Sequence, residues 1–169
     1  IWDASRFIMM NLDGKTGTEL ADLKELCFED KWILSKLNTV IRDVTDNMDK
    51  YELGIAVQKV YDFLWDELCD WYIEMAKVRL WKADKNPKAA NDALWTLRTA
   101  LTEGLKLLHP YMPFITEEIY CTLLPEEESI MISDWPVFQE AWVFPEAEKA
   151  VESFKEAVRG IRNTRTEMN

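Results

Sequence analysis

The chain has 169 residues, 48% of them hydrophobic and 30% charged, with eight Trp, only five Gly and a formal net charge of −11. That composition excludes a disordered or collagen-like chain, and one domain of this length buries roughly 70% of its unfolded surface without a metal or disulfide to hold it. No apolar run approaches the ~20 residues of a membrane span, no signal peptide is visible, and so acidic a chain does not read as a general nucleic-acid binder, because phosphate contacts need Lys and Arg.

A helical period of about 100° per residue divides residues 1–12 into two faces. Ile1, Ile8 and Leu12 share one, while Asp3, Arg6, Phe7 and Met10 gather on the other. An aromatic ring and a guanidinium therefore sit together away from the most apolar line. Phe7 there either packs on a second neighbour or stays open to a ligand. DGKTGT (13–18) breaks the pattern with two glycines and reads as a loop. From 29 to 48, Ile33, Leu37, Val40, Ile41, Val44 and Met48 keep the 3.6-residue period. Glu29 and Asp30 lie in its first turn, where the helix dipole favours carboxylates, and a short break at 49–54 reverses the chain.

A helix at 55–80 is expected at the centre of the fold. Lys59, Asp62, Asp66, Asp70, Glu74 and Lys77 form one narrow polar stripe, and Val60, Phe63, Leu64, Trp65, Leu68, Trp71 and Tyr72 help cover the rest. A helix apolar around so much of its circumference packs on several sides. Its carboxylate row reads as a solvated face, since hard-cation and di-iron sites need convergence from several helices, often with Glu-x-x-His. The only histidine, His109, has Lys106 three positions before it. No metal is expected.

Cys27, Cys69 and Cys121 show no C-x-x-C spacing, and their odd number argues for a reducing, cytoplasmic setting. After a loop at DKNPK (84–88), Ala90, Leu94, Leu97, Leu101, Leu105 and Leu108 face inward along a helix at 89–108. It ends in LLHPYMPFITEEIY (107–120), because Pro110 and Pro113 cannot both lie inside one regular helix. Pro113 suits the first turn of the next helix, which stops near Pro125. His109 reads as a capping or packing residue rather than a general base. SIMISDW, from Ser129 to Trp135, alternates weakly before Pro136 and predicts a short extended segment lying on the bundle.

The last helix, at 146–167, carries Ala147, Ala150, Val151, Phe154, Ala157, Val158 and Ile161 on its expected buried side. Its outer face grades from Glu148 and Glu152 to Lys155, Arg159 and Arg162, with Arg165 close by. That gradient either complements the macrodipole or meets phosphate. No glycine-rich phosphate loop, G-x-S-x-G, H-E-x-x-H or Cys/His cluster is present, so no catalytic residue is expected. The residues alone predict an all-α protein: one domain over 1–169, monomeric, an antiparallel bundle of five or six helices. The absent initial Met and the closing RGIRNTRTEMN read as internal positions of a larger polypeptide.

IWDASRFIMMNL (1–12), DKWILSKLN (30–38), YDFLWDELCDWYIEMAK (61–77), LLHPYMPFITEEIY (107–120) and SIMISDWP (129–136), in this order, resemble the helical anticodon-binding domain of class I aminoacyl-tRNA synthetases. The resemblance covers nearly the whole chain. Isoleucine and leucine members share the Pro-rich break before an E-E pair, while the wording here is most similar to the valine-specific members. It implies a fragment of an ATP- and magnesium-dependent ligase that charges valine tRNA. This fragment would hold the anticodon stem-loop beside the catalytic, editing and C-terminal coiled-coil parts of the same polypeptide. The H-I-G-H and K-M-S-K-S type motifs that bind ATP are not in this chain.

The family's N-A-S-R-F motif places an anticodon contact at Phe7, with Arg6 and Asp3 beside it and Met10 on the same face. Asp3 stands where the motif has Asn. A carboxylate accepts from a base amino group but repels phosphate. Arg159, Arg162 and Arg165 would supply a local positive patch for the tRNA backbone or serve the junction to the next domain. The competing reading is a helical protein-interaction scaffold, which the acidity favours.

Overall fold

The computed structural model describes residues 1–12 and 20–168, so the loop expected at 13–18 lies outside the described residues. The elements are α1 (Trp2–Leu12), α2 (Phe28–Asp49), α3 (Leu53–Asp62), a π-helical stretch (Phe63–Tyr72), α4 (Ile73–Leu80), α5 (Pro87–Leu108), α6 (Pro113–Leu123) and α7 (Pro145–Glu167), with 3₁₀ turns at Ile130–Ile132 and Glu140–Trp142. α3, the π stretch and α4 run on without a break, which leaves six rods and no strand among the described residues. The all-α bundle expected from the periodicity is therefore the fold.

α2 is the hub, packed on α3, α5 and α7. Its Trp32, Ile33, Leu34, Leu37 and Val44 are fully buried, as are Phe63, Leu68 and Tyr72 to within 1%. The π stretch departs from the regular helix expected there. Leu64 approaches α5 so closely that a Cβ on Gly104 would lie 2.6 Å from its Cδ2, so a larger residue there would have to push the Leu64 side chain aside.

One polar group is sealed into this core. Asp30, fully buried in the first turn of α2, accepts from the Tyr72 hydroxyl at 2.5 Å and from both Arg79 amino groups at 2.7 and 2.5 Å. Burial pushes the Tyr72 hydroxyl well above its ordinary range, and the Asp30 charge adds to that. Burial likewise raises the neighbouring Cys27 thiol, again with help from Asp30, so it stays protonated. The ends of α2 and α4 are thus tied by a buried ion pair.

The corner between α5 and α6 forms where the prolines require it. Pro113 opens α6, and Tyr111 donates from its hydroxyl to the Leu53 carbonyl at 3.1 Å. Thr116 Oγ donates to the Met112 carbonyl at 2.8 Å and shares a hydrogen bond of 2.7 Å with His109 Nδ1. His109 is a structural tie, as its position suggested.

Two expectations need correction. The segment from Ser129 to Trp135 is extended only at its ends, at Ser129 and from Ser133 on, and is wound in between. Glu117 accepts from the Ile130 N–H at 3.1 Å, and the Ser129 hydroxyl accepts from Met131 N at 3.1 Å, which winds Ile130–Ile132 into a 3₁₀ turn. From Ser133, extended, to Gln139, extended again, the chain has no regular secondary structure and is held along α2 by Trp135 Nε1 to Thr45 at 2.9 Å and by Asn38 to both backbone groups of Gln139 at 2.8 Å.

The faces of α7 are also turned. Ala147, Val151 and Lys155 face the bundle, while Ala150, Phe154, Ala157 and Ile161 are exposed. The surface beneath is polar and aromatic rather than aliphatic. Glu148 accepts from Ser35, Lys36 pairs with Glu152 at 3.3 Å, and Lys155 Nζ reaches Glu67 at 2.7 Å between Trp32 and Trp71. These contacts outweigh the apolar stripe in setting which side lies down.

Candidate nucleic-acid interface

α1 is seated by Ser5 and Ile8, both fully buried, with the Ser5 hydroxyl donating to the Ile1 carbonyl at 2.8 Å. With that edge down, Asp3, Arg6 and Met10 face solvent and Phe7 lies half-buried against the core. Lys77 from α4 brings its Nζ to 5.6 Å from the Phe7 ring centroid and pairs with Glu74. The ring is therefore gripped by the bundle and a cation, and is still partly open. Lys77 escaped the sequence reading because it belongs to the polar stripe of another helix. Only folding brings it to Phe7.

A second cationic place forms around Trp71. The Arg159 and Arg162 guanidiniums each lie 5.8 Å from its ring centroid, and Lys155 Nζ lies 5.4 Å from it. Lys155 is 2% exposed and paired with Glu67, whereas Arg159, Arg162 and Arg165 are exposed. Burial would raise the Glu152 carboxyl, but the Lys155 and Lys36 charges outweigh it and hold it below the usual range. Trp71 and Lys77 lie six positions apart on one rod and point to different sides of it. The Phe7 group and the arginine group are accordingly two places, not one.

The arginines divide cleanly. Arg42, Arg79 and Arg98 pair with Asp43 at 3.2 Å, Asp30 at 2.5 Å and Glu126 at 3.1 Å. Arg6, Arg159, Arg162 and Arg165 have no carboxylate partner among the described residues. In a chain with 31 acidic against 20 basic residues, cations left unpaired keep a local positive field despite the net charge. Unpaired guanidiniums and a half-open aromatic ring are what a splayed single strand uses, through phosphate contacts and base stacking. Among the described residues, no group of three or more His, Cys, Asp or Glu is placed to hold a metal ion. No helix among them is long and apolar enough to cross a membrane.

Residues 30–169 match the family model described as the anticodon-binding domain of tRNA ligase. The chain is 53% identical over 169 residues to a valine-tRNA ligase of Clostridium perfringens, covering 100% of this chain and 19% of that protein. Similar ligases of Clostridium tetani and Halalkalibacterium halodurans are 51% and 44% identical over the same 169 residues, again 100% of this chain and 19% of each relative. The chain thus spans about a fifth of the length of these relatives, 19% in each case.

Proposed function

Because the chain belongs to the family of anticodon-binding domains of tRNA ligases, we propose that it recognises the anticodon stem-loop of valine tRNA within a valine-tRNA ligase. The observation that carries this reading is Phe7, half-buried under Lys77 beside the unpaired, exposed Arg6. A flipped-out anticodon base stacks on the open part of the Phe7 ring. Arg6 meets the flanking phosphate, and Asp3 accepts from a base amino group. Met10 extends the apolar edge on the same face. Arg159 and Arg162, held over Trp71, contact backbone phosphates on a separate side of the bundle.

The chemistry of the longer polypeptide is the ATP-dependent joining of valine to its tRNA. ATP and magnesium belong to its catalytic part, editing to another, and both work in the cytoplasm. This chain contributes no reacting group and positions the tRNA.

The test is binding of a fluorescent anticodon stem-loop RNA to this chain across a salt series. Contacts from Arg6, Arg159 and Arg162 imply a slope of log K against log salt of about −2. Affinity for the valine anticodon should exceed that for isoleucine and leucine anticodons. A flat salt dependence, or no preference among the three RNAs, would overturn the reading.

Lys77→Met keeps the length of the side chain but removes the charge over Phe7. It is expected to weaken the stem-loop Kd by ~0.5–1 kcal/mol, about two- to fivefold, with Lys77→Arg restoring binding.

A further inference from the structure

We propose that Trp81 is a second stacking platform for the single-stranded loop and takes the nucleotide next to the one on Phe7, an assignment that rests on the anticodon reading of the Phe7 face. Lys77, whose ammonium lies 5.6 Å from the Phe7 ring centroid, accepts from the Trp81 N–H at its carbonyl at 2.9 Å. The backbone of Trp81, with φ −68° and ψ −17°, continues the helical frame of α4. Residues four apart are neighbours on a helix surface, ~5–6 Å between their Cβ atoms. Trp81 therefore stands one turn beyond Lys77 on the same face, and the cation that grips Phe7 has a second aromatic residue beside it.

The backbone under this ring is fixed on both sides. Before it, Leu80 is buried and Arg79 is tied to Asp30. After it, the Lys82 and Ala83 N–H groups donate to the Arg79 and Leu80 carbonyls at 3.2 Å. Lys85 and Asn86 then donate to the Lys82 carbonyl at 2.9 and 3.1 Å, and Asn86 caps α5 by accepting from the Ala89 N–H at 3.2 Å. Yet the indole is 76% exposed, against 47% for Trp2 and 49% for Trp65, which stacks on Tyr61. A ring held in water on a rigid turn binds with little ordering cost.

The surroundings identify the ligand. Lys82 and Lys85 are exposed without a carboxylate partner among the described residues, and Asp84 between them is the one carboxylate of the turn at 81–86. Lys88 is paired with Glu25 at 3.1 Å and with Asp92 at 2.9 Å. Two lysines against one aspartate leave this turn positive within a chain of net charge −11, so it does not repel a phosphate strand. Lys and Asp are depleted from the cores of protein–protein interfaces. Val78, the apolar residue three positions before, belongs to the groove beside α7 with Phe28 and Phe154. A lone ring among charges suits a nucleobase, which asks only for a π face.

The test titrates the valine, isoleucine and leucine anticodon stem-loops with this chain and with Trp81→Leu. Stacking is sequence-tolerant, so Trp81→Leu should weaken all three by a similar factor, about fivefold or more, and leave the preference for the valine anticodon unchanged. Trp81→Phe, which keeps a π face, should restore most of the affinity. Because the ring is exposed, the melting temperature should fall in neither variant. 2-Aminopurine, whose emission drops on stacking, gives the register when placed at each loop position in turn. Quenching should be lost at one position in Phe7→Leu and at the adjacent one in Trp81→Leu. The platform is overturned if Trp81→Leu binds like the parent, if Trp81→Phe binds no better than Trp81→Leu, or if the Trp81-dependent position is not adjacent. A valine preference without any Trp81 effect overturns the platform alone, whereas a uniform Trp81 effect without a valine preference overturns the anticodon reading alone.

Discussion

Asp30→Asn is expected to lower the unfolding free energy by about 3–5 kcal/mol, read from chemical denaturation. The asparagine has nearly the same shape, so the loss comes from charge and not from a cavity. Asp30 is fully buried and receives three hydrogen bonds, two of them from Arg79, whose side chain is only 19% exposed. Removing the carboxylate charge leaves that guanidinium out of water without a counter-ion, which costs far more than the net worth of an exposed pair. In the parent, burial pulls the Arg79 cation down but its hydrogen bonds to Asp30 and the Asp30 charge reverse the sign and raise it. Asp30→Asn removes that offset, and since a guanidinium does not give up its proton inside a protein the charge stays buried without a counter-ion. The double variant Asp30→Asn/Arg79→Met should recover much of the loss, because it removes the orphaned charge as well. If Asp30→Asn unfolds at the same denaturant concentration as the parent, the ion pair is not a mainstay of the α2–α4 junction.

Phe7→Ala is expected to weaken stem-loop binding by ~1–3 kcal/mol, about 5- to 150-fold in Kd, the range for loss of one stacked base. Because Phe7 also packs against the core, some stability will go with it. Phe7→Leu separates the two effects: the leucine keeps the packed half of the side chain but offers no π face. Affinity should fall in both variants, and the melting temperature should fall mainly in Phe7→Ala. Should Phe7→Leu bind RNA like the parent, the ring is a packing residue and the stacking role fails.

The helices were largely readable from spacing because burial imposes the period. Leu97, Leu101 and Leu105 of α5 are buried to within 1%, and Pro113 begins α6 because a residue without an N–H fits a helix's first turn. The outward turn of Asp3, Arg6 and Met10 was readable for the same reason, since Ile8 seats the short helix, whereas Phe7, one position from Ile8, is half-buried against the core. Lys77 was not readable, since its approach to Phe7 depends on where α4 docks. Nor was the seating of α7, where hydrophobicity marked Phe154 and Ile161 as the inner side. Glu67, Ser35 and the faces of Trp32 and Trp71 turned Lys155 inward instead. The 3₁₀ turn at Ile130–Ile132 likewise depends on a carboxylate from α6, Glu117.

Local order in the chain is therefore enough to specify six helical rods, the proline corner and the motifs that mark the family, because helix period, proline geometry and capping act within a few residues. Which cation covers Phe7, which arginines stay unpaired, and which face of α7 is left open were decided only when the rods met. Those outcomes depend on partners from distant parts of the chain, and one polar or aromatic partner at a contact can outweigh an apolar stripe.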